Sequence, residues 1–271
     1  MIDDAVLLHP YAGDTYVTPQ TAALPISSFF PNLSFYYRMC YTLTKASILA
    51  QAGRYSSDAW IRSSLEICEA LEKCGTKITA EGFDKFKNIN SPCVFIGNHM
   101  STLETFVLQG FIRPFQPVTY VIKESLLHYP VFRHVMRNRE PIVVSREDPR
   151  ADFVTVMNKG TEYLKKGISI ILFPQGTRSL PFSRQSFNSI GIKLAKKAGV
   201  PAVPVALRTD AWGMHGLFGL LKDHGPIRPE LPVNFRFGDP LTIKGNGKEE
   251  HEQICSFIEH SLEEWGLAPQ E

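Results

Sequence analysis

Between residues 93 and 237, six short runs of aliphatic, β-branched and aromatic residues recur, at 93–97, 118–122, 142–145, 168–173, 202–207 and 233–237. Stretches with helical periodicity lie between them, at about 101–112, 124–137, 152–166 and 186–198. Strand, helix and strand in this rhythm predict an α/β fold with a largely parallel central sheet flanked by helices. In sheets of this kind, sites gather at the carboxyl ends of the strands. His99 follows the first run, Arg146 the third and residues 174–178 the fourth, so three polar features are expected to converge.

The chain before this alternating region reads differently. Residues 1 to about 30 carry Pro10, Pro19 and Pro25, with Pro31 just beyond, and are expected to be irregular. From 32 to about 52 the pattern is helical, with Leu33, Tyr36, Tyr37, Cys40, Tyr41, Leu43 and Ile48 clustered on one side. Arg38, Lys45 and Arg54 punctuate that segment, a mixture that suits either a membrane–water interface or packing on a neighbour. A second helix is expected over 57–73, with Ser56 or Ser57 as N-cap and Gly75 at its end. The two form an N-terminal helical hairpin, so the expected division is 1–75 for arm and hairpin, a membrane-interface candidate, and 76–271 for the core domain. Residues 212–232 are rich in Gly and Pro and read as an irregular excursion; an acidic helix over about 249–265 closes the chain.

Charge and cysteine usage exclude several classes. A net charge of +2 does not point to a nucleic-acid binder. The segment from Lys159 to Arg208 holds nine Lys and Arg against one acid, Glu162, whereas no Lys or Arg follows Lys248. A basic middle of this sort fits an anionic ligand or an anionic surface. Five cysteines without a C-x-x-C, and eight histidines without H-E-x-x-H, indicate neither a disulfide framework nor a metal site, and place the protein in a reducing cytosol. The acidic first residues do not read as a signal peptide, and no apolar run approaches the ~18 to 20 residues of a membrane span.

The stretch 95–104 carries the first chemical signal. A buried-looking strand ends at Asn98 and His99, and a carboxylate, Glu104, follows five residues later. On one continuous helix that separation leaves the side chains roughly 140° apart. They can meet only if His99 sits in the strand-to-helix turn and Glu104 in the first helical turn. A histidine with an orienting carboxylate is the minimum for a general base. Ser101 and Glu104 equally fit a capping box, in which the glutamate reaches back to the N-cap amide.

The second signal follows the run at 168–173. Pro174 stops the strand, Gly176 permits positive φ, Thr177 and Ser179 offer hydroxyls, and Arg178 offers a planar fork of donors suited to phosphate or carboxylate. This is either an anion pocket at a strand end or a tight turn with an exposed arginine.

The blocks His99-x4-Glu104, Phe173-Pro174-Gln175-Gly176-Thr177-Arg178-Ser179 and Val200-Pro201-Ala202-Val203-Pro204-Val205 occur in that order. With 141–146, ending in Arg146, and with 121–130, bearing Lys123, they resemble the 1-acylglycerol-3-phosphate acyltransferase family of glycerolipid acyltransferases. The resemblance spans roughly residues 80 to 210. Two positions depart from the family pattern N-H-x4-D and F-P-E-G-T-R-S. Glu104 stands for the usual aspartate, as it does in related acyltransferases of lipid A assembly, and Gln175 stands for a glutamate that helps arrange the acceptor pocket. A neutral amide there is expected to leave Arg178 less compensated and to favour a more anionic acceptor.

The resemblance implies acyl transfer from a thioester, on coenzyme A or acyl carrier protein, to a lysophospholipid hydroxyl. The acceptor it implies first is 1-acyl-sn-glycerol-3-phosphate, giving phosphatidic acid. His99 and Glu104 would be catalytic; Arg178, Thr177, Gly176, Gln175, Arg146 and Lys123 would bind substrate; no metal or resident cofactor is implied, the thioester being a co-substrate. Amides near Gly176 or at the start of the 101–104 helix would stabilise the oxyanion. Such an enzyme would work at the inner face of the membrane, attached peripherally from the cytoplasm, without a nucleic-acid partner. An esterase or thioesterase, and a silent lipid-binding protein of the same fold, are the alternatives; the absence of G-x-S-x-G weighs against a serine hydrolase.

Overall fold

The computed structural model describes residues 13–129, 131–214, 216 and 224–267. In chain order, β1 (Thr15–Val17) and the short α1 (Pro25–Phe29) precede α2 (Pro31–Gln51) and α3 (Ser57–Lys73). β2 (Ile78–Glu81) and β3 (Val94–Gly97) follow, and the chain then alternates through α4 (Leu103–Ile112), β4 (Val118–Lys123), α5 (Phe132–Arg137), β5 (Ile142–Val144), α6 (Pro149–Lys165), β6 (Ser169–Leu172), α7 (Ile190–Ala198) and β7 (Ala202–Arg208). β8 (Val233–Phe237) and α8 (Lys248–Glu264) complete it.

All six expected strands are present, in an eight-stranded sheet ordered β1-β2-β8-β7-β3-β6-β4-β5. Five of the seven pairings are parallel; β1 with β2 and β7 with β8 run antiparallel. β3 lies in the middle, with Gly97 beside Val205 of β7 and Ile96 beside Leu172 of β6. Alternate residues face opposite layers, as period-2 geometry requires. Phe95, Ile171 and Val203 point into the layer of α3 and α4, and Val94, Ile96, Ile170 and Leu172 into the layer of α6, α7 and α8. Burial on both faces accounts for strands that are apolar throughout.

The N-terminal segment is more ordered than its prolines imply. Of the stretch expected to be irregular, residues 1–12 lie outside the described residues, but β1 and α1 occupy part of the rest. Pro25 and Pro31 stand at the first positions of α1 and α2, where the missing N–H is no loss, so they start helices there. The helix expected over 124–137 is instead a 3-10 turn, Glu124–Leu127, and the short α5. Pro130 of that stretch lies outside the described residues. In the excursion at 212–232, so do residues 215 and 217–223.

The helical hairpin is α2 and α3, and it packs through α3 on α4. The approach is close at Gly110, where a Cβ would come within 2.9 Å of the Ser64 Cβ. Gln109 Nε2 donates to Ser64 Oγ at 2.6 Å across the same contact. α2 has two apolar faces rather than one. Phe35, Met39 and Ala46 are buried against the core, and Tyr36 turns inward to Trp212, whose Nε1 donates to the tyrosine oxygen at 3.1 Å. Leu33, Tyr37, Tyr41 and Ile48 line the outer face, with Ile26 and Phe29 of α1 and Phe30 between the two helices just before them in the chain, and all are more than half exposed. Among the described residues no helix is long and apolar enough to cross a membrane.

Candidate functional site

β3 ends at Gly97, and the next residue staples it to its neighbour. Asn98 Nδ2 donates to the Leu207 carbonyl at 2.8 Å, and the Leu207 amide donates to Asn98 Oδ1 at 2.8 Å. The side chain thus continues the sheet ladder by one rung and fixes where the following turn begins. His99 occupies that turn and Glu104 the first turn of α4, the arrangement that their spacing demands. Nδ1 of His99 and Oε1 of Glu104 are 2.9 Å apart.

Glu104 is fully buried and saturated with donors. Oε1 accepts from the amides of Met100 (2.5 Å) and Ser101 (2.8 Å) as well as from His99. Oε2 accepts from Thr209 Oγ1 at 2.7 Å. Burial by itself would raise the carboxyl pKa, but the hydrogen bond and charge of His99, the Thr209 hydroxyl and the Ser101 amide hold it below the usual carboxylate range. An anionic Glu104 can only accept, so Nδ1 carries the ring proton and Nε2 keeps its lone pair. The capping-box contact and the histidine contact coexist on one oxygen. Ser101 is itself buried, its Oγ accepting from the Leu103 amide at 3.1 Å, and so is unsuited to carry an acyl group.

The ring of His99 stacks on Phe173, centroids 4.5 Å apart and planes 10° from parallel. Its amide donates to Gln175 Oε1 at 2.7 Å, and its carbonyl accepts from the Ser179 amide at 2.9 Å. The two sequence blocks are therefore joined through backbone as well as side chains.

His99 opens onto a cleft of about 630 Å³ at the carboxyl ends of the parallel strands. Lys123, Arg146, Gly176, Thr177 and Arg178 line the same cleft. Arg178 Nη1 donates to Thr102 Oγ1, which ties the guanidinium to the turn bearing His99. Gly176 adopts φ of 72°, the left-handed conformation for which its sequence position suggested glycine. Arg146 also adopts a positive φ, 64°, a conformation that costs a non-glycine residue about 1–2 kcal/mol. Asp152 holds it there, accepting from the amides of Ser145 at 2.8 Å and Arg146 at 2.7 Å. Partial burial and then the charge of Arg178 lower the Arg146 pKa, Asp152 opposing them. Two guanidiniums that feel each other across a cleft suit an anion between them.

Gln175 sits differently from the other expected binding residues. Its oxygen is turned to the His99 amide, behind the ring, while its buried Nε2 has no hydrogen-bond partner among the described residues. Its contact is therefore with the turn that bears His99. Of the amides near Gly176 and at the start of α4, that of Ser101 is met by Glu104, that of Leu103 by Ser101 and that of Gly176 by the Phe173 carbonyl at 3.3 Å.

Three contributors carry no role in the sequence reading. Thr102 braces Arg178, and Thr209 donates to Glu104. Tyr120 is buried and donates to Gln109 Oε1 at 2.5 Å; burial pushes its hydroxyl well above the usual tyrosine value, which makes it a fixed neutral donor. Thr209 follows a recognised strand directly, the signal that singled out His99. Apolar walls complete the cleft: Leu43, Phe106 and Leu126 on one side, Val144, Phe153 and Ile190 on the other.

Residues 77–208 match the Acyltransferase family. The 1-acyl-sn-glycerol-3-phosphate acyltransferase of Pseudomonas aeruginosa is 32% identical over 153 residues, 56% of this chain and 57% of that protein. The protein of that name from Escherichia coli is 30% identical over 176 residues, 63% of this chain and 65% of the relative. The chain thus spans little more than half the length of the first of these curated relatives and just under two thirds of the second. The crystal structure of the 1-acyl-sn-glycerophosphate acyltransferase from Thermotoga maritima superimposes with a TM-score of 0.63 at 19% identity, over 91% of this chain and 99% of that one, which shows a shared fold. Over residues 77–208, the chain carries a domain similar to those of the acyltransferase family.

Proposed function

We propose that the protein transfers a fatty acyl group from a thioester to the free hydroxyl of a lysophospholipid, most directly 1-acyl-sn-glycerol-3-phosphate, giving phosphatidic acid. One observation carries this: the His99–Glu104 pair opens onto a single cleft whose wall also holds Arg178, Arg146 and Lys123. A base and an anion site in one apolar-walled cleft fit a phosphorylated alcohol that bears a hydrocarbon chain.

His99 Nε2 takes the proton of the acceptor hydroxyl as its oxygen attacks the thioester carbonyl carbon. The imidazolium that forms is stabilised by Glu104. As the tetrahedral intermediate collapses, the carbon–sulfur bond breaks and the departing thiolate takes the proton from His99. General-base help of this kind contributes about 10² to 10⁴ in rate. No enzyme nucleophile is needed, because the thioester is already activated. Arg178, with Arg146 and Lys123, holds the acceptor phosphate so that its hydroxyl meets Nε2.

The acyl donor rides on coenzyme A or on acyl carrier protein. The protein works from the membrane surface on the cytoplasmic side, reaching its acceptor through the exposed apolar face of α1 and α2. The test is incubation of the purified protein with a panel of lysophospholipids and with acyl thioesters of both carriers, products being read by mass spectrometry. Diacylated phospholipid from a phosphorylated acceptor supports the reading. Free fatty acid as the main product with acceptor present contradicts it.

A further inference from the structure

β7 ends at Arg208, and the next residue, Thr209, is completely buried beside the base-bearing turn. Its hydroxyl donates to Glu104 Oε2 at 2.7 Å, and its oxygen accepts from Ser101 Oγ at 2.9 Å. Ser101 Oγ in turn accepts from the Leu103 amide at 3.1 Å. These bonds point one way, from amide through serine and threonine to the carboxylate. Donor chains of this kind polarise one another in a low-dielectric interior. The alternative rotamer, with Ser101 donating straight to Oε2 at 3.1 Å, ends on the same oxygen.

The two oxygens of Glu104 are therefore served by different groups. Oε1 takes the His99 ring and two turn amides, and Oε2 takes hydroxyls. Without Thr209, Oε2 keeps only the longer bond from Ser101 Oγ at 3.1 Å, and a buried carboxylate so held turns or takes up a proton more readily. In either case it would no longer hold the Nδ1 proton of His99. Thr209 reaches this point because the strand ends are fixed together. Asn98 locks β3 to β7 at Leu207, and the Thr209 amide lies 3.3 Å from Met100 Sδ.

We propose that Thr209 is a positioning residue for acyl transfer: its hydroxyl fixes the rotamer of Glu104 and, through it, the Nδ1–H tautomer of His99. The inference rests on His99 acting as the general base; Thr209 itself touches neither substrate nor reacting atoms. It also gives the glutamate at position 104 a reason, since the longer side chain sets one oxygen against the turn and the other against the hydroxyls.

The test is Thr209→Val, close in shape but without the hydroxyl, beside Thr209→Ser, which restores it. The valine variant is expected to lose about 10- to 100-fold in kcat, the size of one hydrogen bond to a charged group. KM for donor and acceptor should change little. The acid limb of its pH–rate profile should move to lower pH, because a Glu104 that has turned or taken up a proton no longer favours the imidazolium. The serine variant should keep the wild-type profile. Nitrogen-15 NMR of the imidazole provides a readout that needs no turnover: one tautomer protonated at Nδ1 in wild type and serine variant, and a mixture in the valine variant. Wild type that transfers no acyl group would sink the functional reading, while the NMR result would still decide the role of Thr209. A loss of activity with unchanged pH profile and tautomer assigns Thr209 a packing role and overturns the proposal, as does a fully active valine variant. Should the valine variant fail to fold, Ser101→Ala tests the other end of the chain, with a smaller shift of the acid limb in the same direction expected; an unmoved limb overturns the proposal.

Discussion

His99 Nδ1 and Glu104 Oε1 meet at 2.9 Å although five residues separate them, because a turn, and not a helix, joins them. That contact fixes which ring nitrogen carries the proton, on a ring that lines a cleft also holding two arginines.

Glu104→Gln keeps the size of the side chain and removes its charge. A kcat lower by about 10² to 10⁴ is expected, with acceptor KM nearly unchanged, in steady-state kinetics. The variant also changes the pH dependence of stability. The folded pKa of Glu104 lies below its unfolded value, so its contribution is full above the unfolded value of about 4.3 and is lost as pH falls through the folded one. Urea midpoints should therefore fall more steeply in acid for wild type than for Glu104→Gln, the gap between them narrowing there.

Arg178→Ala should raise the KM for a phosphorylated acceptor about 10- to 100-fold while leaving the KM for the thioester within a few-fold. Thr102→Val removes the brace on Arg178 and should show the same pattern, more weakly. Equal losses on both substrates would argue against a phosphate-binding arginine.

Gln175→Glu and Gln175→Leu separate two roles. The glutamate can still accept from the His99 amide, and kcat and the ranking of acceptors are expected to persist. The leucine leaves that amide unmet and should lose about 1–3 kcal/mol of stability by urea denaturation, together with activity. A changed acceptor ranking in Gln175→Glu would return this residue to the acceptor pocket, where the sequence pattern had put it.

The sequence disclosed the six strands, the hairpin and the His99–Glu104 turn because each has a local cause: apolar runs, helical periodicity, a spacing that only a turn satisfies. It hid what depends on distant partners. Gln175 reads as a binding residue through the family resemblance, and no local pattern shows that its oxygen accepts from the His99 amide, 76 residues back. Thr209 carried no motif, and its partner Glu104 is 105 residues away. β1 is a three-residue edge strand, too short for a period to show. The prolines at 25 and 31 looked like breaks because their place at the first turn of a helix is visible only once the helix is.

The outer face of α1 and α2 gives a prediction of another kind. Replacing Phe29 and Tyr37 together by serine removes two large exposed apolar groups. Co-sedimentation with phosphatidylethanolamine–phosphatidylglycerol vesicles should weaken at least about ten-fold, at roughly 1.5–3 kcal/mol for each side chain no longer buried in lipid. Turnover of a short-chain, water-soluble acceptor should remain at the wild-type level. Undiminished vesicle binding would remove this face from the account.

His99→Ala tests the central claim most directly. Wild type and variant are given 1-acyl-sn-glycerol-3-phosphate and an acyl thioester, product is counted by mass spectrometry, and acceptor binding is measured separately by calorimetry. Phosphatidic acid from wild type and almost none from the variant, with acceptor binding retained, is the predicted result. Undiminished transfer by the variant, or no transfer by either protein, would contradict it.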